Sequence, residues 1–425
     1  MTSLKSIRER LAAHPLARVG PGLITGVADD DPSGIATYSQ AGAQFGLNML
    51  WTMPLTFPLM AAVQSICGRI GRVTGNGLAF NIRQSFPAWV TVSVVALLLV
   101  ANTLNIAADV ASMGEVTAIS LGGNRHWMTA ALVFISLGLQ VWVPYHRYVH
   151  VLRWLTLSLL AYGGVLLTLH VPWGEVLSRT FAPHLRADTA TATVVVGLFG
   201  TTISPYLFFW QCSEEVEDMR ATRAAPLLAD PAASAPELRR IRWDTWSGML
   251  YSNLIAYAII LTTALTLHAT GVTNIQTAAE AAAALRPIAG DFAFYLFALG
   301  ILGVGLIGVP VLAGSAGYAI AEAMGWPWGL EVEALHAWRF YSVIAGSMLV
   351  GFGLGFTPIN PIRALFYSAV INGLVAVPLL VVILLLAARS AVMGPYRVRG
   401  RLLALGWITA GVMALAAIGM ILPAS

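Results

Sequence analysis

The sequence predicts an all-α protein with many membrane-spanning helices, and three observations support this fold class. Hydrophobic residues make up 57% of the 425 positions and charged residues 10%, with a mean hydropathy of +0.75, whereas a soluble domain has about 25% charged residues. Apolar runs of at least about 17 residues, long enough to cross a bilayer as a helix, recur along the chain. Two of these runs are interrupted by proline and polar residues.

Eleven apolar runs are predicted to be spans. They lie near 20–44, 47–70, 88–121, 126–144, 149–171, 190–217, 245–268, 292–325, 339–357, 362–388 and 402–422. The predicted organisation is a cytoplasmic basic arm (1–19), a first five-helix repeat (20–171), a second five-helix repeat (190–388) and an eleventh helix (402–422). The longest polar segment, 218–243, is predicted to be a cytoplasmic loop within the second repeat.

The distribution of basic residues predicts a cytoplasmic N-terminus. On this topology five of the 24 lysines and arginines lie outside, and the other 19 lie in or beside cytoplasmic segments. The five are Arg125, Arg179, Arg186, Arg286 and Arg363. An excess of basic residues in cytoplasmic loops is the usual bias of membrane proteins. Because topology accounts for the basic charge, we expect a lipid bilayer and no nucleic acid as a partner.

The first predicted span is broken by charge. Asp29, Asp30 and Asp31 precede Pro32 in the middle of an otherwise apolar segment. An aspartate at membrane depth costs about 2.5 to 3.5 kcal/mol on insertion scales, so three in a row are expected to face water, a cation or protein. Proline lacks an amide hydrogen, and the Ser-Gly that follows gives no reason for the helix to resume at once. The sequence therefore predicts a helix, a break and a second helix.

The sixth span is broken in a similar way. Polar residues, glycine and proline interrupt it at Gly200, Thr201, Thr202, Ser204 and Pro205. The first helix of each five-helix half is thus discontinuous, as expected for inverted repeats whose broken helices form a binding site near the membrane centre. Five plus five helices and an eleventh fit the LeuT-like architecture.

The first span also resembles a known family. The run GPGLITGVADDDPSGIATYSQAGAQFGLNMLW is similar to the first helix of the Nramp divalent-metal transporters, whose signature is DPGN followed by A-T and by Q-A-G-A-Q-[FY]-G. The resemblance continues through VTGNGLA, NIAADVASMGEVTAISL and LFALGILGVGLIGVPVLAGSAGYAIAEA. It implies a transporter rather than an enzyme, in a bacterial inner membrane. A divalent metal would be its substrate, no resident cofactor is expected, and the oligomeric state is left open.

The departures from this family concern the metal ligands. The DPGN motif is here Asp31-Pro32-Ser33-Gly34, and the family's M-P-H motif in the sixth helix is Ser204-Pro205-Tyr206. Sulfur favours transition metals, whereas oxygen ligands suit Mg²⁺, Ca²⁺ and Mn²⁺. An all-oxygen, roomier site suits an ion that keeps much of its water, as Mg²⁺ does. This combination resembles the Nramp-related magnesium transporters.

The resemblance gives a ranked set of candidate site residues. The candidate metal ligands are Asp31 first, then the Ala28 and Thr201 carbonyls, Ser204 and the Gly34 backbone. A candidate metal path to the cytoplasm comprises Asp30, Tyr206, Gln211, Glu214 and Glu215. Two interpretations stay open for the acidic residues: Asp30 is either a site residue or a cap of the break. The glutamates form either an acidic vestibule or a solvated helix end.

A candidate proton path lies in the third span. Asp109 matches a position that carries protons in the family, but the glutamate expected three residues later is Ser112. Tyr206 replaces the M-P-H histidine, and a phenol titrates near 10 in model peptides. Glu115 lies one turn beyond Ser112 on roughly the same helix face, so it either substitutes as a relay or is a charge near the outer end of the span.

We therefore expect a carrier for divalent metal, with Mg²⁺ preferred and Mn²⁺ tolerated, that works without obligatory proton coupling. The first alternative is a proton-coupled Mn²⁺ or Fe²⁺ importer of the Nramp type. A sodium-coupled carrier of organic solutes and an intramembrane hydrolase with paired aspartates are more distant alternatives. The sequence contains no GxxxxGK[ST] motif, so nothing indicates an ATP-driven pump.

Overall fold

The computed structural model describes residues 21–143, 155–184, 188–358 and 360–421, and every regular element within these ranges is a helix. The first half contains α1 (Pro21–Asp29), α2 (Pro32–Phe45), α3 (Thr52–Thr74), α4 (Leu78–Ser85), α5 (Ala88–Leu121), α6 (Arg125–Trp142), α7 (Leu160–Thr168) and α8 (Trp173–Phe181). The second half contains α9 (Thr189–Thr202), α10 (Pro205–Ala221), α11 (Ser234–Thr266), α12 (Ala293–Met324), α13 (Trp338–Leu354) and α14 (Pro361–Ala388). The last helix is α15 (Gly400–Ile421).

Most helices lie where the apolar runs predict them, but the segment 218–243, predicted to be a loop, is helical at both ends, because α10 continues to Ala221 and α11 begins at Ser234. By length and composition, six helices of the described residues can cross a membrane, or seven if α2 and α3, which meet at a bend of 114°, count as one span. The other predicted spans contain shorter helices. The start of the fifth predicted span, 149–154, lies outside the described residues. The exact number of eleven spans stays a prediction, whereas the all-helical fold class is confirmed.

The first break is shorter than the sequence predicts. Helix α1 ends at Asp29 and α2 begins at Pro32, so the helix resumes at once through Ser33 and Gly34. Proline is tolerated at the first position of a helix because the amide hydrogen it lacks would have no intrahelical partner there. Asp31, in extended backbone geometry, is the N-cap of α2. The expectation that the helix would not resume directly after Pro32 was wrong for this reason.

The second break has the same form. Helix α9 ends at Thr202 and α10 begins at Pro205, with Ser204 as its N-cap residue in extended geometry. Gly200 and Thr201 belong to α9, so the interruption covers two residues. Each break therefore places a proline at the first position of the helix that follows.

The two halves pack against each other in a related way. The first helix of each half contacts the second helix of the other half: α1 packs on α11, and α10 packs on α3. Small residues allow these contacts, since a Cβ added to Gly26 would lie 2.3 Å from the Gly248 carbonyl oxygen. Cys67 and Cys212, on α3 and α10, are buried free thiols, as expected for core positions. The broken helices thus lie at the centre of the bundle.

Candidate metal site

Asp31 is buried at the first break, and its two carboxylate oxygens have different surroundings. Its side chain is 2% exposed. Oδ1 accepts hydrogen bonds from the Ser33 hydroxyl at 2.6 Å and from the Gly34 amide at 2.8 Å. Oδ2 has one longer contact, with the Tyr206 hydroxyl at 3.4 Å. One oxygen therefore caps helix α2, and the other accepts no short hydrogen bond from the described residues.

Tyr206 connects the two breaks. It lies in the first turn of α10 and is fully buried. Its hydroxyl donates to the Ala28 carbonyl at 3.0 Å and lies near Asp31 Oδ2. Two predicted site positions, Ala28 and Asp31, are thus brought to the same phenol. An ion that bound the Ala28 carbonyl would have to displace this hydroxyl or share the oxygen with it.

At the second break the polar groups are satisfied within their own helix. The Ser204 hydroxyl lies 2.8 Å from the Gly200 carbonyl oxygen and 2.7 Å from the Thr201 carbonyl oxygen. Because a hydroxyl has two lone pairs besides its proton, Ser204 can donate to α9 and still accept or coordinate. The Thr201 hydroxyl is buried, and its side chain interacts with that of Tyr38.

Glycines provide the space between these elements. A Cβ at Gly34 would lie 3.2 Å from Thr201 Oγ1, and a Cβ at Gly308 on α12 would lie 3.1 Å from Asp31 Cβ. Gly34 also uses its amide to cap Asp31, so the structure gives it a supporting role beside its predicted role as a ligand. Gly308 was not predicted as a site residue, because the glycine-rich sequence of that span indicated only close helix packing.

Asp29 and Asp30 both contact Ser252 of helix α11. The Ser252 hydroxyl lies 2.6 Å from Asp29 Oδ2 and 3.0 Å from Asp30 Oδ1. Both side chains are at most 1% exposed, and their other oxygens have no hydrogen-bond partner among the described residues. Asp30 is therefore buried rather than solvated. Ser252 was missed by the sequence analysis because one serine in an apolar helix gives no signal.

The predicted proton-path residues lie at different depths. Asp109 on α5 is fully buried and interacts electrostatically with Asp31. Neither carboxyl oxygen of Asp109 is within hydrogen-bonding distance and angle of a donor in the described part of the chain. Ser112 donates to the Asp109 backbone carbonyl. Glu115 is half-buried and interacts with Arg125 at the start of α6, which agrees with a charge near the outer end of the span.

On the side predicted to be cytoplasmic, polar contacts close the route from Asp31. Thr25 donates to Gln211 at 2.7 Å, and Gln211 donates to Glu215 at 3.4 Å. Glu215 is 0% exposed and pairs with Arg240 of α11 at 2.5 Å. Two of the predicted path residues, Gln211 and Glu215, are thus linked along α10, and Arg240 ends this series.

Glu214 does not join this series. It faces α12, where the Tyr318 hydroxyl lies 3.3 Å from its carboxylate and 2.6 Å from that of Glu217. Glu217 also accepts the Leu330 amide at 2.7 Å. Neighbouring glutamates therefore serve different contacts, and the structure does not bring Glu214 and Glu215 together in one vestibule.

A cavity of about 420 Å³ lies on the opposite side, which is predicted to be external. Its lining includes Ala36 and Gln40 of α2 and Phe366 of α14. Ala36 lies five positions after Asp31, or about 7.5 Å along a helix. Hydrogen bonds and an ion pair thus lie between Asp31 and the end predicted to be cytoplasmic, whereas the cavity on the side predicted to be external includes Ala36 in its lining.

The arrangement can offer one strong oxygen ligand and several weak ones. No group of three or more His, Cys, Asp or Glu able to hold a metal occurs among the described residues. An ion at Asp31 Oδ2 would find carbonyl and hydroxyl oxygens at the two breaks, and water would complete its coordination.

Known proteins resemble this chain over most of its length. The family model described as natural resistance-associated macrophage protein-like (Nramp) matches residues 22–423. The chain is 26% identical over 413 residues to the divalent metal cation transporter MntH of Acidiphilium cryptum, with 93% of this chain and 89% of that protein covered. It is 26% identical over 418 residues to MntH of Deinococcus radiodurans, with 93% and 87% covered.

A solved structure supports the fold. The crystal structure of the Eremococcus coleocola manganese transporter superposes with a TM-score of 0.75 at 16% identity, and the match covers 96% of this chain and 86% of that chain. At this identity the likeness concerns the fold alone. It confirms the LeuT-like arrangement predicted from the two broken spans.

Proposed function

We propose that this chain, which belongs to the Nramp family, carries divalent metal cations across a membrane through the site at Asp31. The observation that supports this most is the second oxygen of Asp31. It is buried at a helix break, it is not used by the helix cap, and its one contact is the long one to Tyr206. A buried carboxylate at membrane depth is costly unless it is paired or binds a cation.

We propose Mn²⁺ as a transported ion. The relatives are named divalent metal cation transporters and the matching structure is that of a manganese transporter, so the comparisons favour the manganese importer over the magnesium carrier that the sequence analysis preferred. The oxygen-only surroundings are compatible with this ion, because carboxylate, carbonyl and water are suitable ligands for Mn²⁺.

Mg²⁺ is the second candidate, on one specific observation. Position 204 is a serine whose hydroxyl bonds back to α9, and no sulfur stands there to discriminate against Mg²⁺. Whether transport is coupled to protons is a separate matter. The lack of a histidine at 206 and of a glutamate at 112 supports uncoupled transport, and Asp109 beside Asp31 is the group that a coupled mechanism would use.

The proposal also includes a route for the ion and an orientation of the protein in the membrane. An ion would enter from the cavity near Ala36, bind at Asp31 and leave past Gln211 and Glu215 once the Glu215–Arg240 pair separates. Arginine is in excess at the exit end of this route, opposite the cavity near Ala36. This excess supports a cytoplasmic N-terminus and an inner-membrane location in a bacterium.

The test is metal influx into proteoliposomes. Wild-type protein is expected to transport Mn²⁺, and Mg²⁺, Ca²⁺ and Cd²⁺ are added as competitors. Asp31→Asn keeps a side chain that can cap α2 but removes the charge, so influx should fall to background. Asp291→Asn, at an exposed aspartate in an external loop, is the control and should keep full activity. Influx above half of wild type in Asp31→Asn would contradict the proposal.

A further inference from the structure

A second cavity, far from Asp31, is rich in arginine. It has a volume of about 580 Å³ and lies between α3, α11 and α15, at the end of the bundle predicted to be cytoplasmic. Four arginines from these three helices line it: Arg69, Arg239, Arg242 and Arg401. Nothing in the transport site described above uses these residues.

The described residues do not compensate these four positive charges. No aspartate or glutamate lines the cavity, and none of the four arginines forms an ion pair with a carboxylate of the described residues. Arg69 is half-buried, and its Nε is buried without a hydrogen-bond partner in the described ranges.

Two neighbouring arginines outside the cavity form ion pairs with glutamates. Arg72, one turn after Arg69, pairs with Glu237 at 3.0 Å, and Arg240 pairs with Glu215 and Glu237. Arg72 and Arg240 are therefore neutralised, whereas the cavity arginines have no carboxylate partner among the described residues, and three of them are exposed. Clustered guanidinium groups with no internal partner are suited to a phosphate, whose oxygens accept two parallel hydrogen bonds from each arginine.

Apart from Ser65, the rest of the lining is apolar. Leu238 and Trp246 of α11 and Leu402 and Leu405 of α15 line the same cavity. Trp246 is held edge-on against Phe57, with ring centroids 5.4 Å apart. The cavity thus combines a cationic part with an aliphatic and aromatic part at a membrane boundary, which matches a phospholipid head joined to its acyl chains.

We propose that this cavity binds the phosphate of an acidic phospholipid from the cytoplasmic leaflet. Basic pockets between transmembrane helices on this side bind anionic head groups. Free phosphate would use the arginines but not the apolar wall. The lipid would connect α3, α11 and α15.

The test measures thermal stability of the purified protein in detergent with added lipid. Phosphatidylglycerol should raise the melting temperature of wild type, and phosphatidylcholine or inorganic phosphate at the same concentration should not. Arg239→Gln/Arg242→Gln should weaken the apparent affinity for phosphatidylglycerol by about 30-fold, given the usual contribution of each basic residue.

The control has the same change in net charge outside the cavity. Arg223→Gln/Arg339→Gln removes two exposed arginines from the same end of the bundle and should respond to phosphatidylglycerol like wild type. If the double variant is not recovered folded, Arg401→Gln, on a different helix, is the second test variant. Native mass spectrometry should show that it retains less acidic lipid than wild type. An equal response of cavity and control variants, or equal stabilisation by inorganic phosphate, would overturn the proposal.

Discussion

The two helix breaks have the same backbone geometry, but the first carries acidic side chains and the second carries neutral ones. Each places an extended residue before a proline that begins the next helix, at Asp31-Pro32 and at Ser204-Pro205. The first break contributes three buried carboxylates, whereas the second contributes a hydroxyl that bonds to its own preceding helix. The difference indicates that the attraction for a cation comes from one repeat, and that the other supplies neutral oxygens and Tyr206.

The largest effect on stability is expected at Ser252, which contacts both Asp29 and Asp30. Ser252→Ala should destabilise the protein by about 1 to 3 kcal/mol, because it leaves two buried carboxylates without their donor. Ser252→Thr keeps the hydroxyl and is the matched control. Ser204→Ala, which removes a hydroxyl next to neutral carbonyls, should cost less. Melting temperatures in detergent would compare them, and an equal loss for Ser252→Ala and Ser204→Ala would remove the contrast between the breaks.

The second expected effect is on ion selectivity at the break between α9 and α10. Ser204→Met introduces a thioether near Asp31, so competition by Cd²⁺ should increase by about tenfold relative to Mg²⁺, since sulfur prefers softer ions. The measurement is Mn²⁺ influx with each competitor. Unchanged Cd²⁺ competition in the variant would show that position 204 does not face the ion.

A smaller effect is expected from crowding Asp31. A Cβ at Gly308 would lie 3.1 Å from Asp31 Cβ, closer than ordinary contact. Gly308→Ala should therefore lower metal affinity by a few fold while leaving the fold intact. Gly346→Ala, where an added Cβ meets nothing within 4 Å, is the control. If both variants bind metal equally well, Asp31 is not held in place by α12.

The smallest effect is expected from a pH gradient. Coupled transport needs a group that gains a proton on one side and loses it on the other, and Tyr206 and Ser112 are unsuited to this. Metal influx should proceed without matching acidification of the liposome lumen and with little acceleration by an imposed gradient. A lumenal pH dye that reports stoichiometric acidification would point instead to Asp109 and Glu115 as a relay.

The sequence predicts the breaks well because their signals are local. Proline next to aspartate or serine inside an apolar run is enough to place both interruptions, and the positions of the helices follow from hydrophobicity. The partners of the charged residues were not predictable in the same way. Ser252 lies 222 residues after Asp30, and Arg240 reaches Glu215 from another helix. The different directions of Glu214 and Glu215 are likewise set by packing.

The most direct test of the central claim is Mn²⁺ binding to purified protein by isothermal titration calorimetry. Wild type, Asp31→Asn and Ser204→Ala are compared in the same detergent and at the same pH. We expect binding to be lost in Asp31→Asn and retained within a few fold in Ser204→Ala, because the charge lies at the first break only. Retained binding in Asp31→Asn, or an equal loss in both variants, would contradict the account.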